Sequence, residues 1–235
     1  MKNSVRFKKR WRAAAFAAAL FLSMAGMVRE TAAAVHFPDV TGGAYYYGAV
    51  SWAVENGTAT GRGGYFKPDD ICTRAEAVSF LYKLAGSPAV SGAAPFPDAA
   101  DPNAWYRSAV IWAVNNNITS GYGTKDGVPI FSLGAACTRA MIVSLIRNFA
   151  QYEQKYRAVS AGDVPYPDVP KNAWYRDTVH WAVRNGITHG KGDGKFYPDE
   201  GCTRGQIVCF IYNYRHMKAD GDWGGDIETP DIPID

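Results

Sequence analysis

The sequence predicts a mainly α fold made of three helix–loop–helix repeats. Two observations predict it. The tripeptide Cys72-Thr73-Arg74 returns as Cys137-Thr138-Arg139 and as Cys202-Thr203-Arg204, at two equal intervals of 65 residues. A second signature, Trp-Ala-Val, stands upstream of each copy, at Trp52-Ala53-Val54, Trp112-Ala113-Val114 and Trp181-Ala182-Val183. Evenly spaced recurrence of this kind marks an internal repeat, so the chain is read by its period.

Each repeat opens on a short motif: Phe37-Pro38-Asp39-Val40, Phe96-Pro97-Asp98-Ala99 and Tyr166-Pro167-Asp168-Val169. The first helix of each repeat follows. Its apolar face is visible in Tyr46, Ala49, Val50 and Ala53, and again in Tyr106, Ala109, Val110 and Ala113. Asp101-Pro102 suits the start of the second copy, with proline in the first turn. The helices stop at Asn56-Gly57, Asn116-Asn117 and Asn185-Gly186, where Gly or Asn tolerates a left-handed C-cap. A glycine-rich loop comes next, containing Phe66-Lys67-Pro68 in the first repeat and Phe196-Tyr197-Pro198 in the third. The second loop is longer and reads Phe131-Ser132-Leu133. Strands are not required, although short extended pairs fit within the loops.

The second helix of each repeat begins at the Cys-Thr-Arg tripeptide. Its apolar positions recur at helical spacing: Ala77, Val78, Leu81 and Leu84; Ile142, Val143, Leu145, Ile146 and Phe149; Ile207, Val208, Phe210, Ile211 and Tyr214. Threonine before such a run is an N-cap, because its hydroxyl accepts from an orphan N–H of the first turn. Thr73 with Glu76, and Thr203 with Gln206, make capping boxes; Met141 denies Thr138 that partner. The repeats are bounded at 37–86, 96–150 and 166–216, with linkers at 87–95 and about 151–165. A unit of about 50 residues cannot bury its apolar faces alone, so the three must pack together.

Residues 1–34 read as a secretory signal peptide: a basic start (Lys2 to Arg12), a 15-residue apolar run from Ala13 to Met27, and Ala32-Ala33-Ala34 at the cleavage site. The run is short for a membrane span, so no stable span is expected after cleavage. Without these residues the formal charge of +3 becomes 18 basic against 21 acidic side chains, a net −3. The basicity belongs to the export signal and gives no support to nucleic-acid binding. Residues 219–235, acidic and without an apolar period, are expected to be a disordered acidic tail.

The four cysteines argue against a disulfide framework. Three are repeat-equivalent and cannot pair without leaving one over. Cys202 and Cys209 lie seven residues apart on one helix, about 10 Å along its axis, too far for a bridge. Buried thiols beside the helix starts are the expectation. A nucleophilic cysteine would need a histidine base, yet His36, His180, His189 and His216 do not recur with the thiols. No Cys-x-x-Cys pair or calcium loop is present. The chain is therefore read as non-enzymatic, with no metal and no cofactor.

Four ordered motifs in this chain resemble the S-layer homology domain: Phe37-Pro38-Asp39-Val40, Gly186-Ile187-Thr188-His189-Gly190, Phe196-Tyr197-Pro198 and Thr73-Arg74-Ala75-Glu76. The resemblance covers residues 37–216. It implies a pseudo-threefold arrangement around a central bundle of the three Thr-Arg helices. It also implies anchoring to a secondary cell-wall polysaccharide, often one carrying a pyruvate ketal. The second repeat departs most, with Met141 for Glu and Leu133 for Pro.

Given that resemblance, Arg74, Arg139 and Arg204 are the foremost glycan-binding candidates. Guanidinium holds a carboxylate through two parallel hydrogen bonds, and a helix N-terminus adds N–H groups and positive dipole. Tyr45, Trp105 and Trp174 stand before the first helices, either as faces for sugar rings or as core residues. Asp39, Asp98 and Asp168 cap or orient the loops, or accept from sugar hydroxyls. Gly61, Gly121 and Gly190 serve loop geometry and close ligand approach. The expected function is a secreted, cell-wall-associated anchor that binds this polysaccharide and carries a surface-protein cargo. The alternative is a protein–protein adaptor whose glycan sites have decayed.

Overall fold

The structure, a computed structural model, describes residues 37–160 and 162–217. The signal peptide and acidic tail expected from the sequence lie outside the described residues.

The chain is mainly helical. Among the described residues six α-helices occur in order: α1 Tyr47–Glu55, α2 Arg74–Leu84, α3 Arg107–Asn115, α4 Arg139–Tyr152, α5 Arg176–Arg184 and α6 Arg204–Arg215. One small hairpin, β1 Thr124–Lys125 with β2 Val128–Pro129, fills the longer second loop. Asp126 and Gly127, both at positive φ, make its two-residue turn. Among the described residues no helix is long and apolar enough to cross a membrane.

The cap residues place the longer helices. Thr73 is extended, its Oγ1 accepts from Glu76 N, and Glu76 Oε2 accepts from Thr73 N at 3.0 Å. Thr203 and Gln206 repeat this box, while Thr138 accepts from Met141 N and receives nothing back. The shorter helices start without a side-chain cap, at Tyr46, Tyr106 and Tyr175. The start expected at Asp101-Pro102 is corrected here: Asp101 instead closes a turn by accepting from Asn103 N, and α3 begins at Arg107. Asn56, Asn116 and Asn185 end the shorter helices as read from the sequence. Gly57, Asn117 and Gly186 follow them in left-handed backbone.

Helix pairing does not follow the repeat boundaries. α3 packs on α2, α5 on α4, and α1 on α6. The first helix of each unit thus lies against the second helix of the unit before it, and α1 closes the cycle onto α6. α4 also touches both α6 and α2. A unit buries its apolar face on its neighbour, which is why 50 residues suffice.

The cysteine peptides close a ring. Cys72 N donates to Cys202 O, Cys137 N to Cys72 O, and Cys202 N to Cys137 O, each at 2.9 Å. All four cysteines are free and buried. Burial pushes the Cys202 and Cys209 thiols up to about 12 and raises Cys72 and Cys137 as well.

Candidate functional site

The three helix-start arginines do not stand in solvent. Arg74 is 4% exposed, Arg139 0% and Arg204 1%. Each reaches into the loop of the following unit. Arg74 Nε donates to Phe131 O at 2.9 Å, and its Nη2 donates to Gly121 O at 3.2 Å. Arg139 does the same to Phe196 O (2.6 Å) and Gly190 O (3.1 Å). Arg204 closes the cycle onto Phe66 O (3.0 Å) and Thr60 O (2.8 Å). Each guanidinium also lies over the ring of the phenylalanine it holds, about 5 Å from its centroid.

The same phenylalanines are gripped from the other side. Asp39 accepts from Phe66 N and Lys67 N at 3.0 and 2.6 Å. Asp98 accepts from Phe131 N and Ser132 N, and Asp168 from Phe196 N and Tyr197 N. Lys67, Ser132 and Tyr197 sit near φ +60°, a conformation that non-glycine residues rarely adopt. The carboxylate holds them there by taking two successive amides. Of the two roles read for these aspartates, loop orientation is the one seen. Gly121 and Gly190 are fixed by close packing. A Cβ on Gly121 would stand 2.6 Å from the Phe96 ring, and one on Gly190 2.7 Å from Lys195 O. Gly61 is crowded likewise by Phe37 and Tyr65 O.

The helix N-termini differ from expectation. Their first N–H groups are paired, not open: Arg74 N with Ala135 O, Arg139 N with Glu200 O, and Arg204 N with Asp70 O, each at 2.9 Å. The next amides donate to Leu133 O, Pro198 O and Pro68 O. Backbone carbonyls of the adjoining loop occupy the place assigned to an anion, because the loop tightens around the helix start.

The three aromatic candidates separate. Trp105 and Trp174 are 65% and 68% exposed. Tyr45 is half-buried, hydrogen-bonded to Thr203, and its phenol is pushed up by burial. Trp112 and Trp181 of the Trp-Ala-Val signature are core residues. Trp52 is partly buried, edge-on to Tyr212 and His216.

Trp105 borders a groove of about 510 Å³ in which Arg62, Lys83, Glu76, Thr60 and Arg204 meet. Arg204 Nη1 pairs with Glu76 Oε1 at 2.8 Å in the floor. Arg62, with its side chain half exposed, reaches Glu76 at 3.3 Å and Asp70 at 3.2 Å. Lys83 Nζ donates to Thr60 Oγ1 at 3.2 Å, and burial followed by the Arg204 charge holds it below the usual lysine range. Arg62, Lys83 and Arg204 stand against the carboxylates of Glu76 and Asp70, which leaves the groove one positive charge in excess. Sequence reasoning missed Arg62 and Lys83, which belong to no repeated motif; Glu76 was read only as a cap.

A family model of the S-layer homology domain matches residues 36–78 and 165–208. The chain carries S-layer homology domains. The matched segments lie in the first and third units; the second holds the departures at Met141 and Leu133. Among known proteins, the chain is 31% identical over 129 residues to a cell surface protein of Thermoanaerobacter kivui, covering 55% of this chain and 16% of that protein. It is 27% identical over 191 residues to S-layer protein EA1 of Bacillus anthracis, covering 80% and 21%. With a cellulosome-anchoring protein of Acetivibrio thermocellus the identity is 26% over 176 residues, covering 73% and 38%. The chain thus spans well under half the length of these relatives.

Proposed function

We propose that this chain is a non-catalytic anchoring module that binds an acidic secondary cell-wall polysaccharide at the bacterial surface. The groove beside Trp105 is the proposed principal site. The S-layer homology domains and the surface-layer relatives assign the chain to the cell surface. The observation that carries the reading is an exposed indole at the rim of a positively charged groove. An aromatic face takes the C–H surface of a sugar ring, and Arg62 and Lys83 take its acid group. Arg204 supports the floor. Trp174 offers a second platform beside the unit that Arg74 clamps. Asp39, Asp98 and Asp168, with Gly61, Gly121 and Gly190, serve the site by holding its loops.

The reading includes a pseudo-threefold order of the units around a core of α2, α4 and α6. The cyclic cysteine hydrogen bonds and the cyclic helix pairing support it. The cellulosome-anchoring relative supports a surface-protein cargo. A matching amylopullulanase of Thermoanaerobacterium thermosulfurigenes is covered over only 8% of its length, so its printed activity does not transfer.

Co-sedimentation with purified cell wall, before and after stripping the polysaccharide, tests the function. Trp105→Ala should weaken binding about 2- to 12-fold, and Lys83→Gln about 10- to 150-fold when its contact is well formed. Both variants should melt with wild type to within a few degrees. Undiminished binding to stripped wall, or wild-type binding by both variants, would replace the glycan reading with the protein adaptor.

A further inference from the structure

In two of the three clamps the arginine spends Nη1 on the next capped helix. Arg204 Nη1 donates to Glu76 Oε1 at 2.8 Å, and Arg74 Nη1 donates to Met141 Sδ at 3.7 Å. Glu76 and Met141 are the third residues of α2 and α4. The third residue of α6 is Gln206, and the cycle of units sets Arg139 against it. Ring packing agrees with this register. Arg204 lies against Phe66 and against Phe80 of α2, with centroids 4.9 and 5.3 Å away. Arg139 lies against Phe196 and against Phe210 of α6, at 5.0 and 5.2 Å.

The chemistry at this position is inverted between the first and third units. Glu76 accepts from Thr73 N through Oε2, which leaves Oε1 for the arginine. Gln206 accepts from Thr203 N at 3.2 Å through Oε1, its one side-chain oxygen. The end left for Arg139 is therefore Nε2, a donor. Arg139 Nη1 is also a donor, buried and without an acceptor among the described residues. Glu200 does not serve as its partner, because Lys191 takes both of its oxygens at 2.8 and 3.0 Å. A guanidinium keeps its proton even when buried. The clamp thus encloses a positive charge and two N–H donors with no acceptor between them, and leaving such groups unmatched is costly.

We propose that a monoatomic anion of chloride size binds beside Arg139 Nη1 and Gln206 Nε2. It takes the role that Glu76 Oε1 fills for Arg204. Enclosure sets the size of the ligand. Arg139 is 0% exposed and Gln206 8%, so the acid group of a polysaccharide does not reach this guanidinium. The site is separate from the Trp105 groove, and the wall-binding reading can fail without affecting it.

Melting of the full chain at constant ionic strength tests the proposal, with sodium gluconate exchanged for sodium chloride. From about 1 to about 100 mM chloride, the melting temperature of the parent should rise by about 2–6 °C. Gln206→Glu supplies the acceptor covalently, so its melting temperature should not respond to chloride. In crystals grown from sodium bromide, anomalous scattering should place one bromide beside Arg139 Nη1. A parent that does not respond to chloride, a Gln206→Glu variant that responds equally, or a crystal with water alone beside Arg139 would each overturn the proposal.

Discussion

The Arg204 clamp and the Arg139 clamp share one backbone geometry and differ in charge. Both guanidiniums hold a phenylalanine carbonyl through Nε and a second loop carbonyl through Nη2. Arg204 Nη1 then meets Glu76, whereas Arg139 Nη1 is buried with no hydrogen-bond partner among the described residues. Glu200, the carboxylate acting most strongly on Arg139, is already held by Lys191 through both oxygens at 2.8 and 3.0 Å. Arg74 is intermediate, with Met141 Sδ at 3.7 Å. The clamp is therefore a backbone device, and the counter-ion is a separate choice made at the third residue of the next capped helix. Of the three, Glu76 alone is a carboxylate, and its unit borders the groove assigned to the glycan.

The largest expected effect strikes every clamp at once, through the thiols. Cys202 and Cys209 rise from an ordinary 9.0 to about 12 because burial disfavours the thiolate. The unfolded chain therefore releases these protons first. Stability is fully present below pH 9 and falls as pH rises toward about 12. Urea midpoints measured from pH 7 upward should stay level and then drop steadily past pH 9. A flat profile across that window would mean that the thiols are not buried in solution.

Next in size, Arg204→Ala should destabilise by about 3–5 kcal/mol, because it takes away the buried partner of Glu76 and leaves that carboxylate only the half-exposed Arg62. Arg139→Ala strands no carboxylate and should cost about 1–2 kcal/mol less. Adding Glu76→Gln to Arg204→Ala should recover part of the loss, while adding Gln206→Ala to Arg139→Ala should not. Chemical unfolding of the four variants gives the comparison. Equal losses for the two single arginine variants would break the distinction between the clamps.

Asp168→Ala removes the acceptor of two loop amides and frees Tyr197 from its left-handed backbone. A loss of about 1.5–3 kcal/mol is expected, read as a lower melting temperature with faster hydrogen exchange in the third loop. Unchanged exchange there would show that the loop does not depend on the carboxylate. The smallest effect should be a gain. Gln206 occupies the position equivalent to Glu76, so Gln206→Glu should offer Arg139 a counter-ion and stabilise by about 1 kcal/mol. A fall in the urea midpoint would show that the Arg139 clamp is complete without one.

Much of this was legible in the sequence because the signals are local. Threonine caps, asparagine stops and apolar periodicity act within a few residues, and they placed α2, α4 and α6 at their first residues. The starts of α1, α3 and α5 were less legible, since no side chain caps them and Asp101-Pro102 imitates a helix start. The arginines were legible as a set, through recurrence, but not in their burial. Their partners lie 47 to 144 residues away along the chain, which spacing does not encode.

By itself the sequence determined the repeat, the helical class, the free thiols and the motif residues of the family, because each depends on neighbours in the chain or on recurrence along it. Tertiary structure decided that each helix packs on the neighbouring unit and that the arginines bind backbone. It also separated exposed Trp105 and Trp174 from half-buried Tyr45, and brought Arg62 and Lys83 beside Trp105. Those outcomes depend on which apolar faces close on one another. Burial then sets the strength of every charge that the closure encloses.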